Sequence, residues 1–295
     1  LGILSMILGL ISKNFNIIKL SSNSFNTVYE FLEILKKIPF KKNLKEKILK
    51  SVLIFRFPRY DTEFSSMLSE VSDARIIWGN NGTISNISNY KKKLFTRDLK
   101  FGEKNSLIIF DLKFFNQNDA SSCEKIFKET TIFEQRACTC PHNILVISNS
   151  NKKFEIFISK LNRIFEKNLN EAKNLQINLP EIMKMRYLIS KESEIINKNN
   201  FSYTLIKSKK IKIFKPIYNN SLFITKVRNK NQILKLISEE NQTVGYNLKI
   251  DKNFSNELIS KGVTRIVPIG NMSNFETVWD GTSILSQISK HSIIS

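Results

Sequence analysis

The chain has 295 residues, 41% of them hydrophobic, enough for one large α/β domain or two ordinary ones with a substantial core, and this excludes a disordered polymer. Its 46 Lys and Arg against 26 Asp and Glu give a net charge of +20 that would attract polyanions. The charge is spread in short runs, at Lys41-Lys42, Lys91-Lys92-Lys93 and 207–212, without interleaved aromatic platforms, which argues against specific nucleic-acid binding.

Residues 1–12 are strongly apolar, but Lys13 ends the run well short of the roughly 20 residues that a bilayer-spanning helix needs, so a buried helix is expected. The chain opens on Leu1, straight into this segment, and an N-terminal part is expected to be absent. Three cysteines cannot all pair with one another, and no cleavable signal peptide is visible; a reducing, cytoplasmic setting fits best.

In chain order, 15–20 reads as a strand, 25–38 as an amphipathic helix with Val28, Phe31, Leu32 and Leu35 on one face, and 52–56 as the next strand. A helix over 60–71, a strand over 74–78, a turn at 79–82, a short helix over 83–90 and an apolar strand over 106–110 follow. A long helix from 118 runs toward Gln135, the strand 143–148 succeeds it, and charged helices occupy 152–172 and 180–196. The last third carries short strands at 203–206, 211–214, 222–226, 243–248 and 265–269, with helices at 231–240 and 254–260. Strands alternating with helices at this spacing predict an α/β fold with a doubly covered parallel sheet of the nucleotide-binding type.

The stretch Phe133-Glu134-Gln135-Arg136-Ala137-Cys138-Thr139-Cys140-Pro141-His142 stands immediately before an apolar strand, which would fix it at a strand edge. A thiolate there attacks carbonyls well, so Cys138 or Cys140 is a candidate nucleophile; a packed small residue is the competing role for each. The Cys-x-Cys spacing has only His142 nearby as a further ligand, and no zinc site is expected.

Several stretches line up in order with one family. The segments Lys13-Asn14-Phe15-Asn16-Ile17-Ile18-Lys19-Leu20-Ser21-Ser22, Ile76-Ile77-Trp78-Gly79-Asn80-Asn81-Gly82, Asp98-Leu99-Lys100-Phe101-Gly102-Glu103-Lys104-Asn105-Ser106, Gln135-Arg136-Ala137-Cys138-Thr139-Cys140-Pro141, Asn241-Gln242-Thr243-Val244-Gly245-Tyr246 and Arg265-Ile266-Val267-Pro268-Ile269-Gly270-Asn271-Met272 through Trp279-Asp280-Gly281 are the carriers. Together they resemble the long-chain acyl-CoA reductases of bacterial bioluminescence, a branch of the aldehyde dehydrogenase superfamily. The resemblance implies a partial Rossmann-like, NADP-binding portion over 1–112 and a catalytic domain over 113–295.

It also implies roles for individual residues. Lys19 would contact the adenosine part of the dinucleotide, and Gly79 would let the backbone approach it closely. Ser22 stands where many relatives have a ribose-binding Glu; a serine does not repel a 2'-phosphate, which points to NADPH. The alignment selects Cys138 as nucleophile over Cys140, and its backbone N–H as one oxyanion donor. Lys100 falls where hydrolysing relatives carry the water-activating Glu, with Glu103 as a displaced base in reserve, and the loss favours reduction over hydrolysis.

The implied reaction is NADPH-dependent reduction of a long-chain acyl thioester to the aldehyde through an acyl-cysteine. The implied partners are long-chain acyl-CoA or an acyl-protein thioester, an acyl-protein synthetase subunit, and further copies of the chain as a homo-oligomer. A non-catalytic acyl-carrying or scaffold subunit of the same fold, and a basic nucleic-acid-binding protein, are the alternative readings.

Overall fold

In the computed structural model, residues 2–20, 25–58, 60–116, 118, 120–170, 178–197 and 200–290 are described. The chain divides into two compact units, Leu1–Glu103 with Glu276–Ser295, and Lys104–Phe275, where the expected division falls after 112. Among the described residues no helix is long and apolar enough to cross a membrane.

The first unit begins with α1 (Gly2–Ile11), β1 (Asn16–Lys19), α2 (Phe25–Lys37), α3 (Lys42–Lys50) and β2 (Val52–Phe55). It continues with α4 (Thr62–Val71), β3 (Ala74–Trp78), α5 (Asn81–Ser88) and β4 (Arg97–Phe101). β1 pairs in parallel with β2, and β3 in parallel with β4. Asp61 caps α4 by accepting the Phe64 N–H at 3.0 Å, and Asn80 caps α5 by accepting that of Thr83 at 2.9 Å; each satisfies a donor that a helix start leaves open.

β4 has no apolar run to announce it. Its Asp98 faces Arg75 of β3 in the cross-strand register, and the two form a two-pronged ion pair, Nε–Oδ1 and Nη2–Oδ2 both at 2.7 Å. Lys92 adds a second cation, on Oδ2 at 2.7 Å. Burial alone would raise the Asp98 carboxyl; the Arg75 and Lys92 hydrogen bonds outweigh it and hold the group below the ordinary carboxylate range.

The second unit opens with β5 (Asn105–Asp111), α6 (Ser121–Thr131), β6 (Pro141–Ile147), α7 (Asn151–Asn170), α8 (Leu179–Ser190), β7 (Ser193–Ile195) and β8 (Thr204–Ser208). β9 (Ser221–Val227), α9 (Lys230–Leu234), β10 (Asn241–Tyr246), α10 (Lys252–Ser260) and β11 (Arg265–Pro268) complete it. The strands form one seven-stranded sheet in the order β11-β10-β5-β6-β9-β8-β7, parallel except for β7 at the edge. β5 belongs here because it is hydrogen-bonded on both sides, to β10 and to β6.

Alternation along β5 and β6 sends side chains to two cores. Ile108, Phe110, Ile144 and Val146 pack with Phe157, Leu161 and Phe165 of α7, while Leu107, Ile109 and Leu145 pack with Ile233, Phe254 and Leu258. A sheet covered on both faces needs strands apolar on both faces, which is why these two read as unbroken hydrophobic runs. The chain then returns to the first unit through β12 (Val278–Trp279), β13 (Thr282–Ser283) and α11 (Ile284–Ile288).

Several expectations differ from the fold; the helix assigned to 231–240, for one, ends at Leu234. The helix from 118 stops at Thr131, because Phe133, Glu134 and Gln135 take left-handed dihedrals. The segment 211–214 is not a strand: the Asn143 side chain occupies the Phe214 backbone N–H and C=O, both at 2.9 Å, in place of a strand partner. The helix assigned to 180–196 ends at Ser190, and its tail becomes β7.

Candidate active site

Cys138 lies between α6 and β6, on a turn built by its neighbours. Phe133, Glu134 and Gln135 have φ of 52°, 54° and 58°, a conformation that costs a residue with a Cβ about 1–2 kcal/mol. Gln135 supplies the reason it persists. Its buried side chain donates from Nε2 to the carbonyls of Pro141 at 3.0 Å and Ser221 at 2.7 Å, and its Oε1 accepts the Ser221 N–H at 2.9 Å. One amide thus ties the turn to the starts of β6 and β9.

The rest of the turn is short-range. Arg136 N–H donates to Phe133 O and Cys140 N–H to Ala137 O, each at 3.0 Å. Ser106, at the start of β5, donates its hydroxyl to the Cys138 carbonyl at 2.6 Å and so fixes the backbone beside the thiol.

The two cysteines of the turn differ in environment. Cys138 is half-buried, whereas Cys140 is 0% exposed. Cys140 Sγ donates to Ile132 O at 3.3 Å, and burial pushes its thiol up to about 12. A group so held stays protonated at neutral pH and is a poor nucleophile. His142, 4% exposed, is pulled down to about 4 by burial, and its Nδ1 has no hydrogen-bond partner among the described residues. Its ring meets that of Tyr218 edge-on at 5.3 Å. Tyr218, Asn219 and Asn220 form a second left-handed turn, all at φ 53°, just before β9.

In the first unit, Lys19 and Gly79 both occupy C-terminal ends of parallel strands. Lys19 is the last residue of β1, in register with Phe55 at the end of β2, and its ammonium lies 4.5 Å from the centre of the Phe57 ring. Gly79 follows β3 and donates its N–H to Phe101 O at 3.2 Å. A Cβ added there would come within 2.9 Å of Thr83 Cγ2 at the start of α5, so only glycine lets chain and helix approach this closely. Behind it Trp78 stacks on Phe101 at 4.2 Å and meets Trp279 edge-on at 6.1 Å. Lys100 and Glu103 are exposed, and Ser22 lies outside the described residues.

Sequence reasoning did not single out Ser106, Ser221, Tyr218 or Phe57. None carries a local signal, since each matters through a partner distant in the chain.

This arrangement has solved counterparts. It is similar to a point mutant of Thermus thermophilus 1-pyrroline-5-carboxylate dehydrogenase, with a TM-score of 0.66 and 11% identity over 96% of this chain and 60% of that one. A Thermus 1-pyrroline-5-carboxylate dehydrogenase with bound NAD gives 0.66 and 10% over 96% and 60%. Escherichia coli lactaldehyde dehydrogenase gives 0.62 and 14% over 92% and 59%. The fold is that of the aldehyde dehydrogenases, and the chain spans about 60% of the length of these structures. No curated protein matches it. Within that class, the family model described as "Acyl-CoA reductase (LuxC)" matches residues 1–291, and the chain belongs to that family.

Proposed function

We propose that this chain carries the nucleophile and part of the dinucleotide site of an NADPH-dependent reductase that converts a long-chain acyl thioester to the fatty aldehyde. The observation that carries the reading is Cys138, half-buried on a left-handed turn anchored by Gln135, within a chain whose family is the acyl-CoA reductases.

In this reading the Cys138 thiolate attacks the acyl carbonyl of acyl-CoA or of an acyl-protein thioester. A new C–S bond forms, the old one breaks, and the donor thiolate leaves. A reduced nicotinamide, when bound, supplies the hydride that turns the acyl-cysteine into aldehyde. Cys138 leaves as thiolate when its C–S bond breaks, so the protein returns to its starting state. Ser106, holding the Cys138 carbonyl, keeps the sulfur's backbone in one place through both steps. With Lys100 at the position of the water-activating carboxylate, hydrolysis of the acyl-cysteine lacks its base.

The residues fit a dinucleotide in two ways. Gly79 stands where β3 turns into the start of α5, and Lys19 presents a cation at the C-terminal end of a parallel pair, where open α/β sheets bind nucleotides. Lys19 would hold the adenosine half, and the backbone at Gly79 would face the phosphates. The preference for NADPH rests on Ser22. An acyl-protein synthetase subunit as acyl donor, assembly into a homo-oligomer and a cytoplasmic setting belong to the same proposal.

The test is acyl transfer to the complete protein from a radiolabelled long-chain acyl-CoA, read as protein-bound label, together with loss of NADPH absorbance. Cys138→Ala should abolish both, by roughly 10³-fold or more, and Cys140→Ala should retain both. Label that persists in Cys138→Ala and disappears in Cys140→Ala would reassign the nucleophile.

A further inference from the structure

Lys19 does not end its strand as a loose solvated cation: its ammonium lies 4.5 Å from the centre of the Phe57 ring. We propose that Phe57 is the positioning residue for Lys19, holding the ammonium over its face so that it stands ready for the adenosine half of the dinucleotide. The inference rests on the dinucleotide reading above and adds to it the residue that orients its cation.

The geometry has three parts. The parallel register puts Lys19 beside Phe55, and the Leu20 N–H donates to Phe55 O at 3.0 Å, so the two strand ends are locked together. Phe57 lies two residues beyond Phe55, the spacing that returns a side chain to the same side of an extended chain. Pro58 follows, and a residue before proline is confined to extended backbone.

The ring is itself held. Phe57 meets Phe64 edge-on, with centres 4.7 Å apart at 79°, and Phe64 meets Phe55 in the same manner at 5.1 Å and 80°. Phe64 belongs to the first turn of α4, where Asp61 accepts its N–H at 3.0 Å. The platform under the ammonium is therefore built from the end of β2 and the start of α4 and does not depend on the ligand.

The physical consequence concerns entropy. A lysine stem has several free torsions, and a lysine that must meet a ribose from an unrestricted ensemble loses that freedom on binding. Attraction between the ammonium and the ring face restricts it beforehand. A ring that merely fills space would serve equally well with any cation or none above it, which separates this role from packing.

The test measures affinity by calorimetry on the complete protein, with NADPH, with 2',5'-ADP as the adenosine half, and with reduced nicotinamide mononucleotide as the other half. Phe57→Leu should weaken NADPH and 2',5'-ADP by about 5-fold, leave the mononucleotide unchanged, and raise KM for NADPH without lowering kcat. Phe57→Tyr should keep the affinity of the unaltered protein, which also covers the case in which leucine impairs folding. In a Lys19→Met background, Phe57→Leu should have no further effect.

Equal affinity in Phe57→Leu, or an undiminished loss in the Lys19→Met background, would overturn the positioning role while leaving the dinucleotide reading intact. Failure of the unaltered protein to bind NADPH or 2',5'-ADP would overturn that reading and this inference with it.

Discussion

The turn around Cys138 and the strand end at Lys19 are fastened by different means. The turn is held by buried, directional bonds: Gln135 alone makes three to backbone groups, and Ser106 makes a fourth to the Cys138 carbonyl. Lys19 ends a two-stranded pair in which no strand residue is buried, and its ammonium lies over the face of an aromatic ring. A nucleophile has to meet a carbonyl within a few tenths of an ångström, and hydrogen bonds in a low-dielectric core deliver that precision. In the role proposed for Lys19, a cation that meets a soluble ligand needs direction more than rigidity, and a cation–π contact leaves it adjustable.

The contrast can be broken first at a nearly buried charge pair of the first unit, Arg75 and Asp98, whose side chains are 6% and 7% exposed. Asp98→Asn leaves Arg75 uncompensated and should destabilise the first unit by about 4 kcal/mol, read as a loss of urea midpoint. The Asp98 carboxyl is depressed in the folded state, so the stability it gives is present above the ordinary carboxylate range. That contribution should fade as pH falls through its folded value, and the variant should lack this acid-side slope.

In the second unit, His142 makes the complementary case. It is neutral in the fold with a value near 4 against the ordinary 6.5, so the unfolded chain binds the extra proton between these two pH values. Stability is complete above about 6.5 and should drop by about 3 kcal/mol as pH falls to 4. His142→Gln should flatten this slope; an unchanged slope would place the proton elsewhere.

The next effect is on the turn itself. Gln135→Leu keeps the volume but leaves the Ser221 N–H and two carbonyls without partners, at about 2 kcal/mol. Because the turn loosens while the sheet remains, labelling of Cys138 by acyl-CoA should slow more than the stability loss accounts for. The smallest effect belongs to the other region. Lys19→Met should weaken 2',5'-ADP by about 10-fold, or about 1.4 kcal/mol, with no change in thermal stability.

How much of this was legible depends on the kind of residue. β2, β3, β5 and β6 are apolar, β-branched runs, and each was read within two residues at either end. β4, with the sequence Arg97-Asp98-Leu99-Lys100-Phe101, has no such run; it is a strand because Asp98 meets Arg75 across the pair. α3 carries four lysines in nine residues and no cap hydrogen bond from a side chain, so neither an apolar run nor a cap announces it. The end of α6 was misplaced because nothing in Phe133-Glu134-Gln135 announces left-handed backbone: no glycine or asparagine is present.

The sequence by itself determined the α/β class, most strands, the ordered motifs that resemble one reductase family, and two candidate thiols in a short segment. Only the tertiary structure decided how those thiols differ, half-buried at Cys138 and fully buried at Cys140, and what holds their turn. The reason is distance along the chain. Propensity and periodicity act over a few residues, whereas Ser106 reaches Cys138 across 32 positions, Gln135 reaches Ser221 across 86, and Glu129 reaches the Met272 N–H across 143. Such bonds exist only once the sheet has brought their strands together.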